Sequence, residues 1–122
     1  MIEVIENSLI KITAGDTAEI TITPESTDYA FTDADLAVFT VRERIDKNIV
    51  IQKRIVPAAS GTVFVKFAHE DTADLKDEIY DWDIRYIIAP QLNSEGEIEE
   101  EASRYTPMYA GGFRVYRSIG GA

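Results

Sequence analysis

Between Tyr80 and Ile88 the chain alternates with a period of two. Tyr80, Trp82, Ile84, Tyr86 and Ile88 fall on one side, and Asp81, Asp83, Arg85 and Ile87 on the other. A pleated strand sends successive side chains to opposite faces, so this stretch predicts a central strand with one large apolar face. The chain's one tryptophan stands on that face. Other segments repeat the pattern. Thr17–Thr23 places Ala18, Ile20 and Ile22 inward, with threonines and Glu19 outward, as β-branched residues favour on a pleated surface. Thr62–Ala68 places Val63, Val65 and Phe67 inward. Leu36–Ile45 separates Ala37, Phe39 and Val41 from Leu36, Val38, Arg42 and Arg44.

Turn signals punctuate these runs. Ala14-Gly15-Asp16-Thr17 predicts a hairpin between Ser8–Thr13 and Thr17–Thr23, with Gly15 free to adopt positive φ. Asp46-Lys47-Asn48 predicts a tight link into Ile49–Val56, with Asn48 left-handed. Pro24, Pro57 and Pro90 each end a ladder, because proline has no N–H to donate. Asn93–Gly96 predicts a turn, after which Glu97–Arg104 pairs back on the preceding strand. Gly111-Gly112 predicts a flexible turn before a last strand, Phe113–Arg117. Only His69–Lys76 has helical character, one or two turns that Asp71 or Thr72 can cap. Met1–Ile5 fits either an arm or an edge strand. Seven or eight short strands without a long helical period predict an all-β antiparallel sandwich, with one short helical turn near residues 70–76. Residues 1–122 are expected to form a single domain.

The approach to the central strand sharpens this to an immunoglobulin-like sandwich. In such domains a tyrosine near the start of one strand bonds back to upstream backbone, two residues before a core cysteine. Here Tyr80 precedes Trp82 by two, Leu75 can pack beneath the corner, and the hydroxyl is expected to reach backbone near Asp71–Asp74. Without a cysteine, Trp82 fills by bulk the space a disulfide otherwise bridges; its burial is worth about 3 kcal/mol. Leu75, Tyr80, Trp82, Ile84 and Tyr86 are the expected core and corner.

Composition narrows the function classes. The absence of cysteine excludes disulfides and thiol chemistry, and a net charge of −10 disfavours nucleic acid and anionic lipid as partners. No apolar run approaches the ~20 residues of a membrane helix. The N-terminal MIEVIENSLI lacks the basic region of a signal peptide.

Candidate chemistry is sparse. His69 beside Glu70 and Asp71 has no second histidine, so a surface position is expected rather than a base or metal ligand. Asp81 and Asp83 lie about 7 Å apart on one strand face and admit a hydrolase reading. Pairing with Arg42, Arg44 or Lys53 is the stronger expectation. Asp28, Asp33 and Asp35 share one loop, but their spacing departs from the helix–loop–helix calcium pattern. No phosphate-binding glycine loop, nucleophile elbow or dinucleotide fingerprint is present. No cofactor, metal or catalytic set is expected. Tyr29 and Phe31 either plug one end of the core or are displayed for a partner.

Several segments taken together resemble a known family. Gly15-Asp16 opens the series, and Tyr29-x-Phe31-x-Asp33-x-Asp35 precedes Val38-Phe39-Thr40-Val41-Arg42. Ile51-x-Lys53-Arg54, Glu70-Asp71-Thr72-x-x-Leu75 and Ile79-Tyr80-x-Trp82-Asp83-Ile84 follow. Gly111-Gly112-Phe113-x-Val115 comes after Thr106. This order resembles small immunoglobulin-like proteins encoded in phages and prophages of Gram-positive gut bacteria. It is most similar to the N-terminal domain of baseplate upper and related tail proteins. The likeness spans nearly the whole chain through short structural motifs. It departs where such proteins often carry glycine, since Asp77-Glu78 stands before Ile79.

The resemblance transfers no catalytic residue. It implies a non-enzymatic structural component of a phage or prophage tail or baseplate. Such a component resides in the particle, or in the bacterial cytoplasm before assembly, and contacts itself or other tail proteins. Ile2 and Val4 in the N-terminal arm, unpaired strand edges, and the aromatics Tyr29, Phe31, Tyr105 and Tyr109 are the expected interaction residues. The same four aromatics define an alternative, a carbohydrate- or ligand-binding module.

Overall fold

A computed structural model describes residues 2–5, 9–23, 30–87, 91–92, 94–96, 98–99 and 109–117. In chain order the strands are β1 (Ile2–Ile5), β2 (Leu9–Thr13), β3 (Ala18–Ile22), β4 (Leu36–Arg42), β5 (Ile49–Ile55) and β6 (Val63–Phe67). The single-turn helix α1 (His69–Thr72) follows, then β7 (Ile79–Ile87), β8 (Gln91–Leu92), β9 (Ile98–Glu99) and β10 (Tyr109–Tyr116). Six strands form one sheet in the order β1-β2-β10-β7-β4-β5. β3 and β6 form a second sheet, and β8 and β9 a small hairpin. The all-β sandwich is therefore the architecture.

The core lies between the large sheet and the β3–β6 pair. Ile10, Ile12, Phe39, Val41, Tyr80, Trp82, Ile84, Tyr86, Phe113 and Val115 come from one layer, and Ile20, Val63, Val65 and Phe67 from the other. Four aromatics run through it. Trp82 stacks on Phe39 at 5.6 Å, Phe39 meets Phe67 edge-on at 5.8 Å, and Phe67 meets Phe113 at 5.7 Å. Phe67, from the small sheet, thus sits between rings of β4 and β10, and such ring pairs add to their area burial.

Several features depart from the sequence expectation. First, β2 and β3 are not a hairpin, because β2 joins β1 and β10 while β3 joins β6. The link between them crosses from one layer to the other, which lets both strands point isoleucines at the same core. Gly15 makes this bend at φ 85°, a conformation that costs a residue with a Cβ about 1–2 kcal/mol. Second, β2 and β10 pair in parallel, so the sheet is not wholly antiparallel. Third, Gly111 and Gly112 are not a turn but lie within β10, opposite Trp82 and Asp81 of β7. Fourth, the β4–β5 connection puts Lys47 rather than Asn48 at positive φ, 62°, where the Lys47 N–H closes on the Glu43 carbonyl at 3.1 Å. The return from the Asn93–Gly96 region pairs β9 with β8, not with β7.

The tyrosine corner forms with a different partner. The Tyr80 hydroxyl accepts the Lys76 N–H at 3.0 Å rather than meeting backbone at 71–74. The reason is that α1 ends at Thr72, whose carbonyl is taken by the Leu75 N–H, leaving the Lys76 N–H without a helical acceptor. Leu75 packs against the core beside it. At the opposite end, the Tyr86 hydroxyl donates to the buried Gly61 carbonyl at 2.7 Å, and Phe31 packs on the Tyr86 ring at 5.2 Å.

Candidate functional site

Three places gather functional groups. The first is the outer face of the large sheet over β4, β7 and β10. Alternation along β7 sends Asp81 and Asp83 away from the core while Trp82 goes into it, 4% exposed. The ladder sets Arg42 across from Asp81 and Thr40 across from Asp83, yet the ion pairs run diagonally. Arg42 Nη1 meets Asp83 at 2.5 Å and Arg44 Nε meets Asp81 at 2.8 Å. Both pairs are half-exposed, where such contacts are worth at most about 1 kcal/mol. Gly111 and Gly112 add no side chain beside them, and a shallow depression bounded by Arg44, Asp81, Trp82, Asp83 and both glycines results. A Cβ on Gly112 would meet the Leu9 and Ile79 methyls at 3.1 Å, so those side chains close in where the glycine lacks one. Each carboxylate here already accepts from a guanidinium, as expected from Arg42 and Arg44. Lys53 goes elsewhere.

The second place is the corner around α1. Asp71 accepts the Ala68 N–H and the Lys53 ammonium, both at 2.7 Å. One carboxylate therefore caps the helix from inside its first turn and ties it to β5 across the sandwich. Thr72 is wholly buried and its hydroxyl oxygen accepts the Gly15 N–H at 2.9 Å. His69 is exposed, and its Nδ1–H donates to the Gly15 carbonyl at 2.7 Å. A carbonyl only accepts, so this nitrogen carries the proton. These bonds make His69 and Thr72 holders of the β2–β3 bend. Thr72 was absent from the sequence expectation as a buried group, since a threonine on a short polar helix gives no signal of the distant amide it serves.

Beside this corner, Asp77 accepts the Arg117 N–H at 3.0 Å and the Arg114 guanidinium at 2.7 Å. Those two contacts, the backbone one first, hold its carboxyl below the ordinary value of 3.8. Arg117 in turn donates to the Ala73 and Leu75 carbonyls at 2.8 Å each. Burial pushes the Tyr80 hydroxyl above its ordinary value of 10.0, with the Lys76 N–H acting in the opposite direction.

The third place is the pair of sheet edges. β1 and β5 end the six-stranded sheet, and neither has an outer partner strand among the described residues. The N-terminal segment is thus an edge strand, with Ile2 and Val4 at the register positions of Ile12 and Ile10.

The other expected residues distribute as follows. Phe31 is only 4% exposed, so it plugs the core and is not a displayed contact. Its backbone explains this: the Phe31 N–H donates to the Ala59 carbonyl, drawing the loop over Tyr86. Asp35 is buried and accepts the Thr32 N–H at 2.8 Å, while Asp33 is exposed, and the two do not converge. Among the described residues no group of three acidic or histidine side chains is placed to hold a metal ion. Tyr109 opens β10 opposite Ile84. Asp28, Tyr29 and Tyr105 lie outside the described residues. No helix among the described residues is long and apolar enough to cross a membrane.

The chain matches no protein-family model, no curated protein and no solved structure.

Proposed function

We propose that this chain is a non-enzymatic structural protein of a phage or prophage tail or baseplate, acting through protein–protein contacts. The observation that carries the proposal is the pair of open edges on the six-stranded sheet, β1 and β5, each without an outer partner strand among the described residues. A strand edge offers a row of backbone donors and acceptors, and another chain completes it with little rearrangement. The motif order running from Gly15-Asp16 to Gly111-Gly112-Phe113 supplies the tail and baseplate context. Consistent with a scaffold, the charged groups of the outer face and the corner hold one another: Arg42 to Asp83, Arg44 to Asp81, Lys53 to Asp71 and Arg114 to Asp77.

Size-exclusion chromatography with light scattering tests this directly. The expected result is a mass that climbs above that of one chain as concentration rises. A strictly single-chain mass at the highest concentration overturns self-assembly as the role.

A further inference from the structure

The ladder pairings fix the relative direction of the two open edges. β1 runs antiparallel to β2, β2 parallel to β10, and β10–β7, β7–β4 and β4–β5 are each antiparallel. Four reversals leave β1 and β5 pointing the same way. A second copy displaced along the sheet therefore presents its β1 to β5 in parallel, with the covered faces of both sheets on one side.

The two edges also differ in charge. β5, Ile49–Ile55, carries Lys53 and Arg54 and no acid; the first ten residues, which include β1, carry Glu3 and Glu6 and no base. A lysine facing inward on an edge strand commonly blocks pairing. Here Asp71 holds Lys53 at 2.7 Å, and the two groups are only 28% and 19% exposed. Arg54 is exposed and touches the Gly96 carbonyl, which leaves its charge uncompensated by that contact. Apolar surface collects at the same edge. Of the five large apolar side chains left exposed among the described residues, Ile49 and Val56 lie at the two ends of β5 and Ile45 in the turn that leads into it.

We infer that β5 is the acceptor edge for the β1 edge of a second copy, joined in parallel through backbone hydrogen bonds and held in place by opposite charge. The contact is heterologous, because the two surfaces are different, so it builds a ring or an open filament rather than a closed dimer. A chain of net charge −10 repels its own copies over most of its surface, and β5 is where an acidic strand meets attraction instead. This rests on the assembly role proposed above and names the surface that performs it.

Charge reversal tests it. Sedimentation velocity is run on the wild type, Arg54→Glu, Glu3→Lys and the double variant, with near-ultraviolet dichroism of Trp82 verifying the fold. The wild type is expected to associate, and each single reversal to weaken association about tenfold or more, since like charges then face across the joint. The double variant restores it, and added salt weakens the wild-type contact. Arg54→Ala, which deletes the charge without inverting it, gives an intermediate loss and serves if Arg54→Glu fails to fold. Association unchanged in both single variants overturns the edge assignment while leaving an assembly role intact. A wild type that stays a single chain throughout overturns both.

Discussion

Tyr80 stands two residues before Trp82 with its ring buried and its hydroxyl on the Lys76 N–H. Removing that hydroxyl leaves a backbone donor short of its partner without opening a cavity. Tyr80→Phe is expected to lower stability by about 1 kcal/mol in urea unfolding, the usual net worth of one hydrogen bond. The raised pKa adds a pH signature. Above 10.0 the unfolded chain loses the phenolic proton first while the folded one keeps it, so stability falls as pH rises. That alkaline slope should flatten in Tyr80→Phe. The spacing of Tyr80 and Trp82 made the corner legible in advance. The identity of the donor was not, because it depends on where a four-residue helix stops and which carbonyl the Leu75 N–H takes.

At the scale of elements, β10 shows how little a glycine pair says about its own conformation. Gly111-Gly112 reads as a turn, yet β10 runs through it, with Gly111 across from Trp82. The neighbouring strand decides this, since β7 supplies ladder partners to both glycines, and β2 takes up the other side of β10 from Phe113 onward. Its far end is fastened by Asp77, which binds Arg114 and the Arg117 N–H. Because that carboxyl titrates below 3.8 when folded, the unfolded chain binds its proton first as pH falls. The contribution of Asp77 is present above the unfolded value and is lost as acid drives pH through the folded one. Asp77→Asn should therefore lower the unfolding midpoint near neutrality, with the difference from wild type shrinking and the acid slope flattening between about pH 5 and about pH 2.

For the whole molecule, the row Trp82, Phe39, Phe67 and Phe113 joins the six-stranded layer to its two-stranded cover. A cover of two strands has few other large side chains to offer, so a void beside Phe39 is not readily filled from that side. Trp82→Ala is expected to cost about 3–5 kcal/mol, read as a lower denaturation midpoint with an unchanged slope. Among the described residues the large sheet ends in β1 and β5 with no outer partner strand, which is the physical basis of the proposed assembly by strand addition.

In β3, β6, β7 and the Phe113–Tyr116 part of β10, patterning alone determined that the residues are extended and which of their faces turn inward. Ile20, Val63, Val65, Phe67, Trp82 and Phe113 are all buried as the period of two requires, because alternation is a local property of the pleat. The same local logic paired Asp81 and Asp83 with arginines. Only the tertiary structure decided which strand lies beside which: the crossing between β2 and β3, the parallel seating of β10 on β2, the burial of Thr72 beneath Gly15, and the acidic and basic strands at opposite ends of one sheet. Each depends on hydrogen bonds between residues far apart in the chain, and a backbone amide carries no mark of the distant carbonyl or hydroxyl it will meet.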